Sequence, residues 1–300
     1  MPARGPVVEL DVAPPCSWKI PARGRGDGLT RVRSGVISRL LAADGAPVLV
    51  RAWKVGGQMR FRAEPAGARG VPGADADRLA WAVDRLRFAV GIDEDFRPLF
   101  RQFRADPLLG PSMRRQPWWR PRRHPTVWEA FAWAVTEQLI ESTRAATIQR
   151  RITGRWGTRM QTAAGVLRDG PSAAAIAALP APALAACDLA PKRAQALVRV
   201  AGEVHRGRID LADPADDARL LAQREIGPWT VQCLGLLGRG EPDSLPAGDL
   251  AYVKLVGRLA RLGRRATVEE VEEFFAPYEP YRGLAGLFCL IGHASGRIPA

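Results

Sequence analysis

Two short segments decide the reading of this chain: Arg224-Glu225-Ile226-Gly227-Pro228-Trp229-Thr230 and, further on, Ser244-Leu245-Pro246-Ala247-Gly248-Asp249-Leu250. A helix is expected over 217–223 before the first segment, and a second from Pro228 to Leu237. Gly227 permits a tight turn, and Pro228 suits the first helical position, where its missing N–H costs nothing. Such a hairpin exposes backbone N–H groups at a helix N-terminus, which together with the helix dipole can hold a phosphate without reading sequence. An ordinary αα-hairpin has the same outline, so this segment alone leaves both readings open. After the second segment, Leu250, Val253, Val256 and Leu259 recur on one helical face. Asp249 therefore stands at a helix N-terminus. It can serve there as an N-cap. The same place favours an ionised carboxylate, which can stabilise a developing oxocarbenium on deoxyribose or orient a water toward C1′.

Upstream of this region, Thr126 precedes Glu129 by three with Pro125 just before, a capping box that opens a helix. Trp128, Phe131, Val135, Leu139 and Ile140 mark its buried face, and the pattern runs on through Ala146, Ile148 and Ile152 toward Gly154. Further helices are expected near 159–168, 172–178, 181–187 and 191–206. Residues 105–123 are rich in Pro and Arg and read as a loop packed by Trp118 and Trp119. Phe96, Leu99, Phe100 and Phe103 form a short apolar face. Leu79, Val83, Leu86 and Val90 set a helical period from Asp75 onward, so 75–295 reads as all-α.

The residues before that period read as β. Strands are expected over 7–12, 32–41, 47–55 and 58–63, the last after the turn Gly56-Gly57. Between the first two lies an Arg/Gly loop, residues 22–28. Its glycines at 24, 26 and 28 make no dinucleotide fingerprint, because no helix follows at the required spacing. Residues 67–74 read as a Gly/Pro linker. The expected fold is α+β: a small N-terminal antiparallel β-domain over 1–72, then an all-α region over 75–300 with a cleft between helical subdomains.

The 300 residues are enough for two domains, or for one with an appendage. Lys and Arg total 44 against 31 Asp and Glu, a formal net charge of +13. Lysine occurs only at Lys19, Lys54, Lys192 and Lys254, and arginine forks match phosphate oxygens in pairs. Such an excess attracts polyanions, although an arginine-rich proteome gives the same charge, and charge alone does not separate the two. Cys16, Cys187, Cys233 and Cys289 lack metal-ligand spacing, and His124, His205 and His293 are scattered, so neither a metal nor a cofactor is expected. There is no secretion signal at the N-terminus and no apolar stretch of about 18 residues for a membrane span. A cytoplasmic, nucleoid-associated monomer is the expectation.

Taken in order and spacing, Ile226-Gly227-Pro228-Trp229-Thr230 and Leu245-Pro246-Ala247-Gly248-Asp249 resemble the hairpin, Gly/Pro-rich loop and aspartate of the helix-hairpin-helix DNA glycosylase superfamily, in its 3-methyladenine II, alkylation-repair type. Pro125-Thr126-Val127-Trp128-Glu129-Ala130, continuing to Gln138-Leu139-Ile140, is similar to the family's helix leading into its DNA-wedging loop. Pro280-Tyr281-Arg282-Gly283-Leu284-Ala285 looks like the segment after its catalytic helix. The N-terminal sheet suits the bacterial branch of this type. The likeness covers nearly the whole chain and is strongest from Pro125 to Leu290.

That resemblance implies a base-excision-repair enzyme that flips an alkylated purine, such as 3-methyladenine, out of damaged duplex DNA and hydrolyses its N-glycosidic bond. It implies Asp249 as the catalytic carboxylate and Gln138 and Leu139 as the residues that fill the vacated gap. It further implies Trp229, Cys233, Tyr281 and Leu284 around the base, with Ile226, Gly227 and Thr230 at a DNA phosphate. No cofactor or metal is implied. An alkylated base carries positive charge, so an electron-rich ring suits it as a wall, and a poorly paired base costs least to extrude. Trp229 equally suits packing of the hairpin, and Leu139 also suits the core of its helix, the wedge being favoured by the resemblance alone.

Several positions depart from the family pattern. Arg224-Glu225 stands where Pro-Gly is usual, restricting the turn and setting a carboxylate beside the phosphate site. Glu137 replaces a usual glycine and Glu141 a small residue. Cys233 stands where an aromatic is common, Tyr281 replaces a Trp, and Leu284 replaces a Tyr. Trp229 occupies the position of the lysine nucleophile of bifunctional relatives and cannot form a Schiff base, which implies a monofunctional enzyme. No cluster-ligand cysteines follow the Asp249 helix, which excludes the iron–sulfur branch. Lys254, one turn into that helix, is expected to face solvent or phosphate. Two other classes stay open: a non-catalytic damaged-DNA-binding protein of the same fold, and a glycosylase for oxidised or deaminated bases.

Overall fold

The computed structural model describes residues 6–66, 75–162 and 165–296; the linker expected at 67–74 lies outside them. Strands β1 (Val8–Val12), β2 (Thr30–Arg33), β3 (Val36–Ala43), β4 (Ala46–Val55) and β5 (Gln58–Pro65) form one antiparallel sheet in the order β1-β5-β4-β3-β2. The single strand expected over 32–41 is two. Ser34 and Gly35 take φ of 48° and 73° and fold β2 back onto β3, pairing Arg33 with Val36. Positive φ at both central residues is the signature of a two-residue hairpin whose twist matches its strands.

One face of the sheet, with Ile37, Leu41, Val48, Val50 and Phe61, packs on Leu79, Ala82, Val83 and Leu86 of α1 (Ala76–Val90). The Asp75 side chain caps α1 by accepting the Arg78 amide at 3.0 Å, and left-handed Gly91, φ 63°, ends it. The sheet's core thus takes in the first helix of the region expected to be all-α.

The chain continues through α2 (Arg97–Phe103), α3 (Gly110–Arg115), α4 (Val127–Glu137) and α5 (Ser142–Trp156). Helix α3 falls inside the stretch expected to be a loop. The helix expected near 159–168 is a β-hairpin, β6 (Arg159–Thr162) and β7 (Gly165–Arg168). Its Leu167 is buried against Leu40 and Leu49 on the other face of the sheet, a non-local contact that overrides local propensity. Then follow α6 (Ala173–Ala177), α7 (Ala181–Ala185), α8 (Pro191–His205), α9 (Asp217–Leu221), α10 (Pro228–Leu234), α11 (Leu250–Leu259), α12 (Val268–Phe275) and α13 (Arg282–Ala294).

These helices bury two apolar clusters. One gathers α4 to α10 around Phe131, Val135, Leu197 and Leu234. The other gathers α2 and α3 with α11 to α13 around Val256, Phe275 and Phe288. The chain crosses from one to the other between α10 and α11.

A buried polar group joins the sheet to α4. Arg39, 0 % exposed on β3, is ion-paired with Glu129 and, at 2.9 Å, with Asp169. Asp169 also accepts the Ala42 amide at 2.8 Å, and Glu129 lies 3.0 Å from Nδ1 of His124. The capping box expected at Thr126 is therefore half made. Thr126 Oγ1 accepts the Glu129 amide at 3.2 Å, while the Glu129 carboxylate is turned to Arg39. Two buried carboxylates share one guanidinium, and burial pushes the Asp169 carboxyl up to about 6 against the pull of Arg39. Burial, reinforced by Arg25, holds His124 well below the usual imidazole range, so its ring is neutral.

Candidate active site

Asp249 is the N-cap of α11. Its Oδ1 accepts the Ala251 amide at 2.7 Å, and its Oδ2 accepts the indole N–H of Trp229 at 3.1 Å. Trp229 lies in the first turn of α10, after Pro228, so its ring edge crosses from the first helical cluster to the carboxylate of the second. Sequence reasoning named both residues but missed their bond, which joins positions too far apart for any local pattern. The bond fixes the carboxylate's orientation and gives Trp229 a positioning role that neither of its expected roles included.

The hairpin's backbone differs from expectation. Gly227 is extended, φ −112° and ψ 177°, and the left-handed residue of the turn is Glu225 at φ 69°. A Cβ at Gly227 would meet no described atom within 4 Å. Among the described residues neither backbone conformation nor packing requires glycine there, and the surface above it is open. Ile226 is buried in the first cluster. Thr230 is turned inward, and its hydroxyl accepts from Gln138 Nε2 at 2.9 Å.

The helix expected to run unbroken toward Gly154 ends at Glu137. Gln138 turns extended, ψ 127°, and Leu139 takes φ 53°. Leu139 is 97 % exposed, so it does not belong to the core. An L-residue in the left-handed region costs about 1–2 kcal/mol. Strain and full exposure of an apolar side chain thus coincide at this residue. The amide of Gln138 also donates to the Glu225 carbonyl at 3.0 Å, so Gln138 clamps the loop to the hairpin while Leu139 stands free of the surface.

The remaining residues divide. Cys233 is half-buried, and burial holds its thiol well above the usual range, with the carboxylates of Glu137 and Asp249 adding to the effect. Tyr281 is half-buried, edge-on to Phe103 at 6.5 Å. Leu284 is buried in the second cluster, its amide donating to the Pro242 carbonyl at 3.0 Å, and acts as core. Tyr252, which sequence reasoning did not single out, is buried under Asp249; burial and then that carboxylate push its hydroxyl well above the usual range. Lys254 is exposed on α11, in a concave surface shared with Arg258 and Arg261.

No family model matches the chain. The DNA-3-methyladenine glycosylase of Bacillus subtilis strain 168 is 24% identical over 203 residues, which are 66% of this chain and 67% of that protein. The probable bifunctional transcriptional activator/DNA repair enzyme AlkA of Mycobacterium tuberculosis is 26% identical over 213 residues, 69% of this chain but 42% of that protein. The chain thus spans about two thirds of the first relative and well under half of the second. A solved 3-methyladenine DNA glycosylase from Archaeoglobus fulgidus superposes with a TM-score of 0.78 at 21% identity, covering 95% of this chain and 98% of that one. The chain has the fold of that glycosylase, the fold expected from the helix-hairpin-helix resemblance. Within that fold the candidate site lies where the two helical clusters meet: the hairpin is bonded to N-capping Asp249 through Trp229 and to Gln138, the neighbour of exposed Leu139.

Proposed function

We propose that the protein is a monofunctional DNA glycosylase. It flips alkylated purines, 3-methyladenine among them, out of duplex DNA and hydrolyses their N-glycosidic bond. The observation that carries this reading is Asp249, an N-capping carboxylate held by an indole N–H at 3.1 Å and a backbone amide at 2.7 Å.

Both Asp249 oxygens already accept a hydrogen bond, which favours a fixed negative charge over a mobile nucleophile. Facing C1′, that charge stabilises the oxocarbenium as the glycosidic bond breaks. A cationic alkylpurine leaves as a neutral base, so no proton donor is needed. Water then bonds to C1′ and loses a proton, to Asp249 or to solvent, leaving an abasic site. Trp229 offers no amine, so no Schiff base forms and the strand stays whole. Leu139 enters the stack where the lesion left it, and the hairpin backbone at Gly227 receives a phosphate. The protein acts as a monomer on duplex DNA, and its affinity falls steeply with salt.

The test is base release from methylated duplex DNA by wild type and by Asp249→Asn. Wild type is expected to release methylpurine, and the variant to keep DNA binding while losing release. Equal behaviour of the two, with DNA bound by both, would replace the enzyme with a damaged-DNA-binding protein. Release confined to oxidised or deaminated bases would move the substrate class.

A further inference from the structure

The Arg/Gly loop, residues 22–28, has no part in the chemistry above, yet it is firmly built. Arg150 of α5 donates to the Gly26 carbonyl at 2.7 Å. Arg25 donates to the Arg122 carbonyl at 2.6 Å, and Arg122 donates to the carbonyls of Arg23 and Gly24, each at 3.2 Å. A Cβ on Gly24 would lie 1.8 Å from the Thr30 carbonyl oxygen, so the loop is pressed against the start of β2.

Of the three arginines gathered here, Arg25 and Arg122 turn their guanidiniums onto carbonyl oxygens, and Arg23 contributes its carbonyl. Among the described residues the one ion pair of Arg23, Arg25 or Arg122 is Arg25 with Glu137, at 4.0 Å. Burial, and then the like charges of Arg25 and Arg23, pull Arg122 below its usual range. Beside them opens a cavity of about 420 Å³ lined by these three arginines, Trp18, Lys19 and Trp118, and by no Asp or Glu among the described residues. The Lys19 ammonium lies 4.6 Å over the Trp118 ring. Three like charges with the one long contact to Glu137 as counter-charge attract an anion. Guanidiniums select phosphate, and an indole face takes a base.

The place narrows the ligand. Glu137, the partner of Arg25, immediately precedes Gln138 and Leu139 in the chain, so one wall of the cavity, Arg25, reaches the segment that leads into the exposed Leu139. We propose that Arg23, Arg25 and Arg122, with Trp118, form a second DNA site that takes the phosphate and base of a nucleotide near the flipped one. The inference rests on the glycosylase reading only in that its ligand belongs to the same duplex.

The test is binding of the full chain to a duplex carrying a stable abasic analogue, by fluorescence anisotropy over a salt series. Each phosphate contact contributes about 0.9 to the log–log salt slope. Arg23→Ala, with an unchanged melting temperature, is expected to lower the slope by about that amount, and Arg23→Lys to restore it. Trp118→Leu is expected to weaken binding by roughly 5-fold or more at unchanged slope, as loss of a stacked base does. Folded variants with wild-type slope and affinity overturn the proposal, as does an Arg23→Lys variant that behaves like Arg23→Ala. Base release is read separately. If wild type releases methylpurine while these variants bind normally, the second site alone falls. If the variants shift binding but wild type releases no base, the enzyme reading alone falls.

Discussion

Replacing Glu225 by glycine should make the protein both more stable and a tighter DNA binder. Glu225 sits at φ 69° in the turn of the hairpin, a conformation costing an L-residue about 1–2 kcal/mol. Glycine removes that cost but loosens the unfolded chain, taking back about 0.4–1 kcal/mol. The net gain in stability should be roughly 0.5–1 kcal/mol. The clamp from Gln138 survives, because it ends on the backbone carbonyl of residue 225. The carboxylate that is lost lies 3.9 Å from Arg224, a residue 80 % exposed in its side chain, so solvent screens that pair. A phosphate at the hairpin, taken as about 7 Å from the carboxylate in an effective dielectric of about 40–80, is repelled by roughly 0.6–1.2 kcal/mol. Affinity at low salt should therefore rise roughly 3- to 8-fold. Urea unfolding and fluorescence anisotropy with an abasic-analogue duplex measure the two effects. Glu225→Gln separates them: it keeps the strain and loses the charge, so it should gain affinity without stability. A lower unfolding midpoint in Glu225→Gly would refute the strain assignment. Wild-type affinity in both variants would refute a phosphate at the hairpin.

Leu139→Ala removes a side chain that touches almost nothing, so the melting temperature should hold while single-turnover base release falls about 10-fold or more. A large loss of stability would show Leu139 to be packed. Trp229→Phe deletes the indole bond to Asp249 at 3.1 Å and should lower kcat about 10-fold with DNA affinity nearly unchanged; an unaltered kcat would end its positioning role. Arg39→Met strands Glu129 and Asp169 without their cation and should cost about 3–5 kcal/mol at pH 7. The native Asp169 carboxyl titrates at about 6, above its unfolded value of about 4. Between those values the native state holds the proton and the unfolded state does not, so this group's ionisation erodes stability as pH rises through that window. Without Arg39 the erosion is greater, so the gap between wild type and Arg39→Met should narrow from pH 7 to pH 5 in urea unfolding. A constant gap would contradict the shared-cation account.

The parts legible in the sequence were those whose causes are local. Asp249 caps α11 because a polar residue meets an apolar period there, and β4 and β5 flank the turn at Gly56-Gly57 as expected. The parts that misled have causes elsewhere in the chain. No glycine or proline marks the break after Glu137, and the apolar period runs straight through Leu139 and Ile140. What ends the helix is Gln138 reaching the Glu225 carbonyl and the Thr230 hydroxyl, partners that only the folded chain supplies. The hairpin of β6 and β7 is set by Leu167 against Leu40 and Leu49. Gly227 looked like the residue that turns the chain, but Glu225 turns it, because φ is not written in residue type alone. The bond from Trp229 to Asp249 was invisible for the same reason as the Gln138 clamp.

These two long-range contacts give the hairpin a task beside the phosphate proposed for it. Through Trp229 it fixes the carboxylate at the head of α11; through Glu225 and Thr230 it fixes the loop that carries Leu139. Both bonded segments lie off the hairpin's own local pattern, and each would reorient without it. The arrangement is held under strain. Glu225 and Leu139 both occupy the left-handed region, together costing about 2–4 kcal/mol, while the two Gln138 hydrogen bonds return about 1 kcal/mol each. The clamp at best balances the strain and does nothing for the exposure of Leu139 to water. The free protein therefore presents Leu139 at little net stability, and under the proposed function burial of Leu139 in a duplex would supply the favourable term that the apolar side chain lacks in solvent. On that proposal lesion engagement and wedge placement would be one equilibrium, with the hairpin as the element both depend on.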